Sequence, residues 1–235
     1  MKTVPPLRGY STIIFDCDGV LLDSNRIKTD AFRKVALEAG ETAADKLVEY
    51  HRRHGGVSRN EKFRHFVEQI LGFSPDSAMV DRLVARYAKE VRYRLLDCAV
   101  ASGLLGLREA TQGVRWAVVS GGAQAELREV FTKRGLAPLF DAGIHGSPDD
   151  KHTLLARLRV AGALDGPAVF LGDSQYDHEV AIRAGLDFVF ISGWTEFDDW
   201  SGYCASHTVP AVSDLSALLE LQPDRRIRTS SNLFV

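Results

Sequence analysis

The sequence predicts an α/β fold, a parallel sheet covered by helices and interrupted after its first strand by an all-helical insertion. Three observations carry this reading. Short apolar runs recur along the chain, helical segments separate the later ones, and the long stretch between the first two runs has almost no strand character. Near-continuous apolarity over so few residues marks strands buried on both faces.

The first such run is Ser11-Thr12-Ile13-Ile14-Phe15, and the second is Val114-Arg115-Trp116-Ala117-Val118-Val119. Ala168-Val169-Phe170-Leu171 and Phe188-Val189-Phe190-Ile191 follow. Helical patterns over 123–134 (closed by Gly135), 148–160 and 177–184 (closed by Gly185) alternate with them, as a parallel sheet requires. Between the first two strands, helices are expected over 26–39, ending at Gly40, and over 58–71, ending at Gly72. Ser74-Pro75-Asp76 then reads as an N-cap, a proline at the first helical position and an acidic first turn. From there Val80, Leu83, Val84, Tyr87, Val91 and Leu95 share one helix face. The expected organisation is therefore a Rossmann-like core of residues 1–23 and 103–222, with a helical cap over 24–102 placed to close over the first strand's end. Residues 223–235 are polar, basic and aperiodic, and are expected to form a flexible tail.

Composition narrows the function classes. The chain has 235 residues, 45% hydrophobic and 26% charged, enough apolar content for a real core. A formal net charge of −2 leaves no electrostatic footprint for nucleic acid or an anionic membrane, so no nucleic-acid or membrane partner is expected. Any bound anion must meet a local cluster of donors. Cys17, Cys98 and Cys204 are odd in number and lack metal-ligand spacing, which suits a reducing compartment. Residues 1–10 hold no apolar signal core, and no run reaches the roughly 18 apolar residues of a membrane span. A soluble cytoplasmic protein is the expectation; the oligomeric state is left open.

The chemistry-bearing residues sit where strands end. Asp16 and Asp18, followed by Gly19, close the first strand, and ligands of open α/β sheets bind beyond the carboxyl ends of strands. Two acids this close raise one another's pKa unless a cation shares them. A polar turn closing a strand would show the same residues. Ser120-Gly121-Gly122 closes the second strand with a hydroxyl and free amides, a possible anion site or a plain strand-to-helix turn. In Gly146-Ser147-Pro148-Asp149-Asp150-Lys151, Ser147 is expected as N-cap with Pro148 opening the helix. That puts Lys151 in the first turn, where the dipole disfavours a cation and a ligand or carboxylate partner would explain it; a solvated surface lysine is the alternative. Asp173 ends a further strand, and Asp177 follows four residues later, where it could also cap a helix.

Taken in order, Asp16-x-Asp18-Gly19-Val20, Ser120, Lys151 and Gly172-Asp173-Ser174-x-x-Asp177 resemble the four signature motifs of the haloacid dehalogenase superfamily. The resemblance spans essentially the whole chain, with the helical insertion resembling the cap that follows the first motif. It implies an Asp16 nucleophile that forms an aspartyl-phosphate, and Asp18 as general acid and base. It implies Mg²⁺ held by Asp16, the Asp18 backbone carbonyl and Asp173, with Asp177 supporting. Ser120, the Gly121 amide and Lys151 would hold the phosphoryl oxygens. Dehalogenases and phosphonatases of the superfamily lack an acid at the Asp18 position, so its presence here implies phosphoryl transfer from an oxygen ester. Cys17, between the acids, is expected to point into the core.

Gly56-Val57-Ser58-Arg59 resembles a substrate-gripping loop of β-phosphoglucomutase, which makes Arg59 a candidate contact for a distal anion. Lys28 stands where that relative carries a hinge histidine; it could contact an anionic substrate or be an exposed helix lysine. His152 follows Lys151 where many relatives carry proline. The expected activity is hydrolysis of a small phosphorylated metabolite, a phosphosugar or phosphorylated sugar acid. A phosphosugar mutase and a non-catalytic binding module that kept the fold are the alternatives.

Overall fold

The computed structural model describes residues 4–222; the expected tail at 223–235 lies outside the described residues. The strands are β1 (Thr12–Phe15), β2 (Arg115–Ala123), β3 (Ile144–Ser147), β4 (Ala168–Gly172), β5 (Asp187–Ile191) and β6 (Ala211–Val212). They pair in parallel in the order β3-β2-β1-β4-β5-β6. The order reverses direction at β1, and β1 and β4 lie side by side there, the place where such sheets open a crevice.

The strands read as apolar runs because both faces are covered. Ile13, Phe15, Trp116, Val118, Val169, Leu171, Val189 and Ile191 enter one core. Their alternates Ile14, Ala117, Val119, Phe170, Phe188 and Phe190 enter the other, with Leu154, Leu155 and Leu158. This is the period-two alternation of a strand, apolar on both sides.

Between β1 and β2 every regular element is helical: α1 (Asn25–Ala36), a 3-10 turn over Leu37–Ala39, α2 (Glu41–Arg53), α3 (Arg59–His65), a π-helical turn over Phe66–Ile70, α4 (Ser77–Arg92), α5 (Arg94–Asp97) and α6 (Leu104–Ala110). On α1, Lys28, Ala31, Phe32, Val35 and Ala36 are buried at three- and four-residue spacing. Phe32 is the hub: its ring centroid lies 4.4 Å from that of Tyr87, 5.1 Å from Phe63 and 4.5 Å from His51. The two connections to the sheet run side by side, with the Asp23 amide donating to the Ala99 carbonyl (3.0 Å) and the Ala101 amide to the Leu21 carbonyl (2.9 Å).

The remaining helices are α7 (Gln124–Lys133), α8 (Lys151–Val160), α9 (Gln175–Arg183), α10 (Trp200–Ser206) and α11 (Leu215–Glu220). No helix among the described residues is long and apolar enough to cross a membrane.

Several expected boundaries are corrected. The helix expected from Ser74 begins at Ser77, because the Asp76 carboxylate takes the cap and accepts from the Ala78 amide (2.9 Å). Ser147 is the last residue of β3, drawn there by pairing with Ala123, and does not cap a helix. The following peptide bond to Pro148 is cis. Asp150 caps α8 instead, accepting from the Thr153 amide (2.7 Å), and Lys151 is its first residue. β3 and β6 escape the sequence pattern because Ile144-His145-Gly146-Ser147 has one aliphatic residue and β6 has only two residues.

Candidate active site

Asp16 directly follows β1 and Asp173 directly follows β4, so the adjacency of those strands brings the two carboxyls together. One oxygen from each of Asp16, Asp173 and Asp177 lies within 4.8 Å of the others, and all three residues are buried. Ser174 caps α9: its hydroxyl accepts from the Asp177 amide (3.2 Å) and donates to Asp177 Oδ2 (2.7 Å), turning that carboxylate inward. Lys151, 1% exposed, enters from the start of α8. Its Nζ stands 2.8 Å from Asp16 Oδ1 and 2.5 Å from Asp177 Oδ1. The surface-lysine alternative for Lys151 therefore fails.

Asp16 Oδ1 is buried and lies in no directed hydrogen bond; Lys151 meets it as an ion pair only. Burial pushes the Asp16 carboxyl up to about 7, with Lys151 opposing and Asp177 and Asp18 adding like charge. Asp173 is pushed well above the carboxylate range by burial, Asp16 and Asp177, although Asn25 Nδ2 donates to its Oδ2 (2.7 Å). The Thr195 hydroxyl holds the Asp173 carbonyl (2.6 Å). Burial disfavours charge on Lys151, but Asp16 and Asp177 keep it protonated. Three buried acids thus share one lysine, and the donors are all hard oxygens. That combination fits a divalent cation.

Asp18 is arranged differently. Its carboxylate accepts from the Ser24 hydroxyl and the Lys28 ammonium. Burial would raise its pKa, but Lys28 and Ser24 hold it below the usual value. Lys28 is not the exposed helix lysine: it is buried, lines the cavity and has its charge matched by Asp18. Cys17, between the two acids, is buried in the core as expected.

Ser120-Gly121-Gly122 belongs to the end of β2, where the register shifts, and the next helix starts at Gln124. Ser120 is fully buried, its hydroxyl accepting from the Gly122 amide (3.1 Å). The insertion's loop at Gly55–Gly56 is seated on these strand ends. A Cβ on Gly121 would stand 2.2 Å from the Gly56 carbonyl oxygen, and one on Gly56 would stand 3.3 Å from Lys151 Nζ. Gly56 has φ +78°, a conformation that suits glycine.

The result is a cavity of about 70 Å³ whose lining includes Asp16, Asp18, Asp173, Gly121, Arg59 and Lys62. Arg59 is not free: it meets Glu126 of α7 at 3.1 and 3.2 Å and lies 5.4 Å from the Tyr87 ring centroid. It ties α3 to the sheet region. The sequence pattern missed Ser24, Asn25, His51, Lys62, Glu126 and Thr195. Asn25 and Ser24 follow the first motif closely, which is a signal of proximity; the others reach the site only through packing.

Residues 13–191 match the family described as haloacid dehalogenase-like hydrolase. A phosphorylated carbohydrates phosphatase of Thermotoga maritima is 28% identical over 189 residues, covering 76% of this chain and 83% of that protein. A putative haloacid dehalogenase-like hydrolase from Bacteroides fragilis superposes with TM-score 0.65 at 24% identity, covering 89% of this chain and 99% of the other. A putative phosphoglycolate phosphatase from Lactobacillus plantarum gives 0.67 at 21% identity, over 90% and 99%. A CbbY variant from Rhodobacter sphaeroides, solved with xylulose-1,5-bisphosphate, gives 0.64 at 19% identity, over 89% and 96%.

Proposed function

This chain belongs to the haloacid dehalogenase-like hydrolase family, and from that premise we propose that it is a Mg²⁺-dependent phosphatase of a small phosphorylated metabolite. It is a phosphoric monoester hydrolase, and the organic part of its substrate is a sugar or sugar acid. The observation that carries the reading is the buried set of Asp16, Asp173 and Asp177 around Lys151, at the adjoining ends of β1 and β4, with Asp18 beside it. The names of the Thermotoga, Lactobacillus and Rhodobacter relatives support the phosphorylated organic substrate.

In this reading an Asp16 carboxylate oxygen attacks phosphorus, and the bond from phosphorus to the ester oxygen breaks. Asp18 gives its proton to the departing alkoxide. Ser24 and Lys28 hold Asp18 as an anion at rest, and the incoming phosphate's charge raises its pKa so that it takes up a proton from solvent before the transfer. Water then attacks phosphorus, Asp18 takes the water's proton, and the bond to Asp16 breaks, releasing phosphate. Lys151, the Gly121 amide and Ser120 hold phosphoryl oxygens. Asp16, Asp173 and the Asp18 backbone carbonyl would hold Mg²⁺, with Asp177 in support, and the bound ion would supply charge neutralisation at the phosphoryl group. The Gly55–Gly56 loop and the helical cap over 24–102 exclude water from the reacting centre.

The test is phosphate release from a panel of phosphorylated sugars and sugar acids, with and without Mg²⁺. Mg²⁺-dependent release is expected. An isomerised sugar phosphate without free phosphate would make the protein a mutase, and no turnover of any phosphoester would make it a binding module.

A further inference from the structure

Most cations around the cavity are already matched by acids. Lys28 sits on Asp18, Arg59 on Glu126, and Arg52 faces Glu196 at 3.8 Å. Lys62 differs. It lies on α3, 2% exposed, and lines the same cavity. Its contacts are His51 Nδ1 at 2.6 Å, the His51 carbonyl at 3.5 Å and the Phe32 ring, whose centroid is 5.6 Å away. None of these is an acid.

His51 is neutral here, because burial and Lys62 push its pKa well down. Its Nδ1 therefore accepts from the ammonium, which fixes where Lys62 points. Burial and the charge of Lys28 push Lys62 down to about 7. An apolar side chain would fill this place between Phe32 and His51 at no electrostatic cost, whereas a buried ammonium without a counter-charge is expensive. A long cation kept at that cost beside a ligand cavity is explained by an anion that arrives with the ligand.

We propose that Lys62, oriented by His51, is a specificity-determining residue that binds a second anionic group on the substrate, so that the substrate is a phosphomonoester carrying a carboxylate or a further phosphate. This rests on the phosphatase reading above and deepens it. A substrate lacking the second anion leaves Lys62 buried and unmatched when the cavity closes, and is discriminated against for that reason.

The experiment measures kcat/KM by phosphate release for two matched pairs. Phosphoglycolate against ethyl phosphate tests a carboxylate; fructose 1,6-bisphosphate against fructose 1-phosphate tests a second phosphate. In the wild type at least one pair should favour the second anion by about 10- to 100-fold. That ratio should fall towards one in Lys62→Met and be partly restored in Lys62→Arg. Phosphate release with both ratios near one in the wild type overturns the inference alone, whether or not Lys62→Met folds, as does an unchanged ratio in a folded Lys62→Met. No phosphate from any of the four, nor from an aryl phosphate, overturns the phosphatase reading and this inference with it.

Discussion

Gly121→Ala separates the contribution of loop closure from that of the chemical groups. Gly121 keeps its amide in the variant and has no positive φ, so the strand itself tolerates alanine. The new Cβ would stand 2.2 Å from the Gly56 carbonyl oxygen, whereas real contacts start at 3.0 Å and become ordinary at 3.4 Å. The loop must therefore retreat by about 1 Å from the strand ends, a displacement of the order that costs up to about 100-fold in rate when it misplaces reacting groups. Steady-state kinetics on a sugar phosphate should show kcat/KM reduced by about 10- to 100-fold, with the thermal midpoint little changed. Gly122→Ala is the comparison, since the atoms nearest its Cβ would be Leu127 side-chain carbons at 3.3 and 3.4 Å and the Ser120 hydroxyl at 3.4 Å; it should lose less than Gly121→Ala by about tenfold. Equal kinetics for wild type and Gly121→Ala would refute the claim that the seated loop matters for turnover.

Lys62→Met should raise the thermal midpoint near neutral pH even as it lowers selectivity. The fall of the Lys62 pKa from 10.5 to about 7 corresponds to at most about 5 kcal/mol of buried-charge cost, and losing the His51 and Phe32 contacts leaves a net gain of about 2. The unfolded chain holds the extra proton between those pH values, so wild-type stability rises across that window and the variant's advantage shrinks from pH 7 towards 10; a destabilised Lys62→Met at pH 7 would contradict this. Mg²⁺ should stabilise the protein more as pH rises. Asp16, with its pKa at about 7, holds a proton below that value that a cation must displace, so a scanning-calorimetry shift with Mg²⁺ should be small near pH 5.5 and several degrees larger near pH 8. Lys28→Met should move the alkaline limb of the kcat profile to higher pH, because Asp18 must carry the proton it donates and Lys28 is what holds its pKa below the usual value; an unmoved limb would exclude Lys28 as the group tuning Asp18.

The parts of this protein legible in its sequence are those set by local pattern. Apolar runs marked β1, β2, β4 and β5 because each is buried on both faces, and the acids following β1 and β4 could be placed at the carboxyl end of one sheet because each follows a strand; that β1 and β4 are neighbours came only from the structure. β3 was hidden because Ile144-His145-Gly146-Ser147 is held by pairing with β2 and not by its own side chains. Helix starts were misread at Ser74 and Ser147 because competing acids, Asp76 and Asp150, stand nearer the helix and take the cap. Of the two cap cations singled out in the sequence, Lys28 and Arg59 are both occupied by acids distant in sequence, Asp18 and Glu126. Lys62 gave no signal, since a lysine on a mixed helix reads as solvated; its burial exists only once α1, α2 and α3 pack around Phe32.

The central claim is that Asp16 takes the phosphoryl group from an oxygen ester. Wild-type protein mixed with a turned-over sugar phosphate and Mg²⁺, quenched rapidly in acid and digested, should yield the Asp16 peptide bearing one phosphoryl group, and Asp16→Asn should yield neither that peptide nor free phosphate. Undiminished phosphate release by Asp16→Asn, or a phosphoryl group on any other residue, would contradict the account.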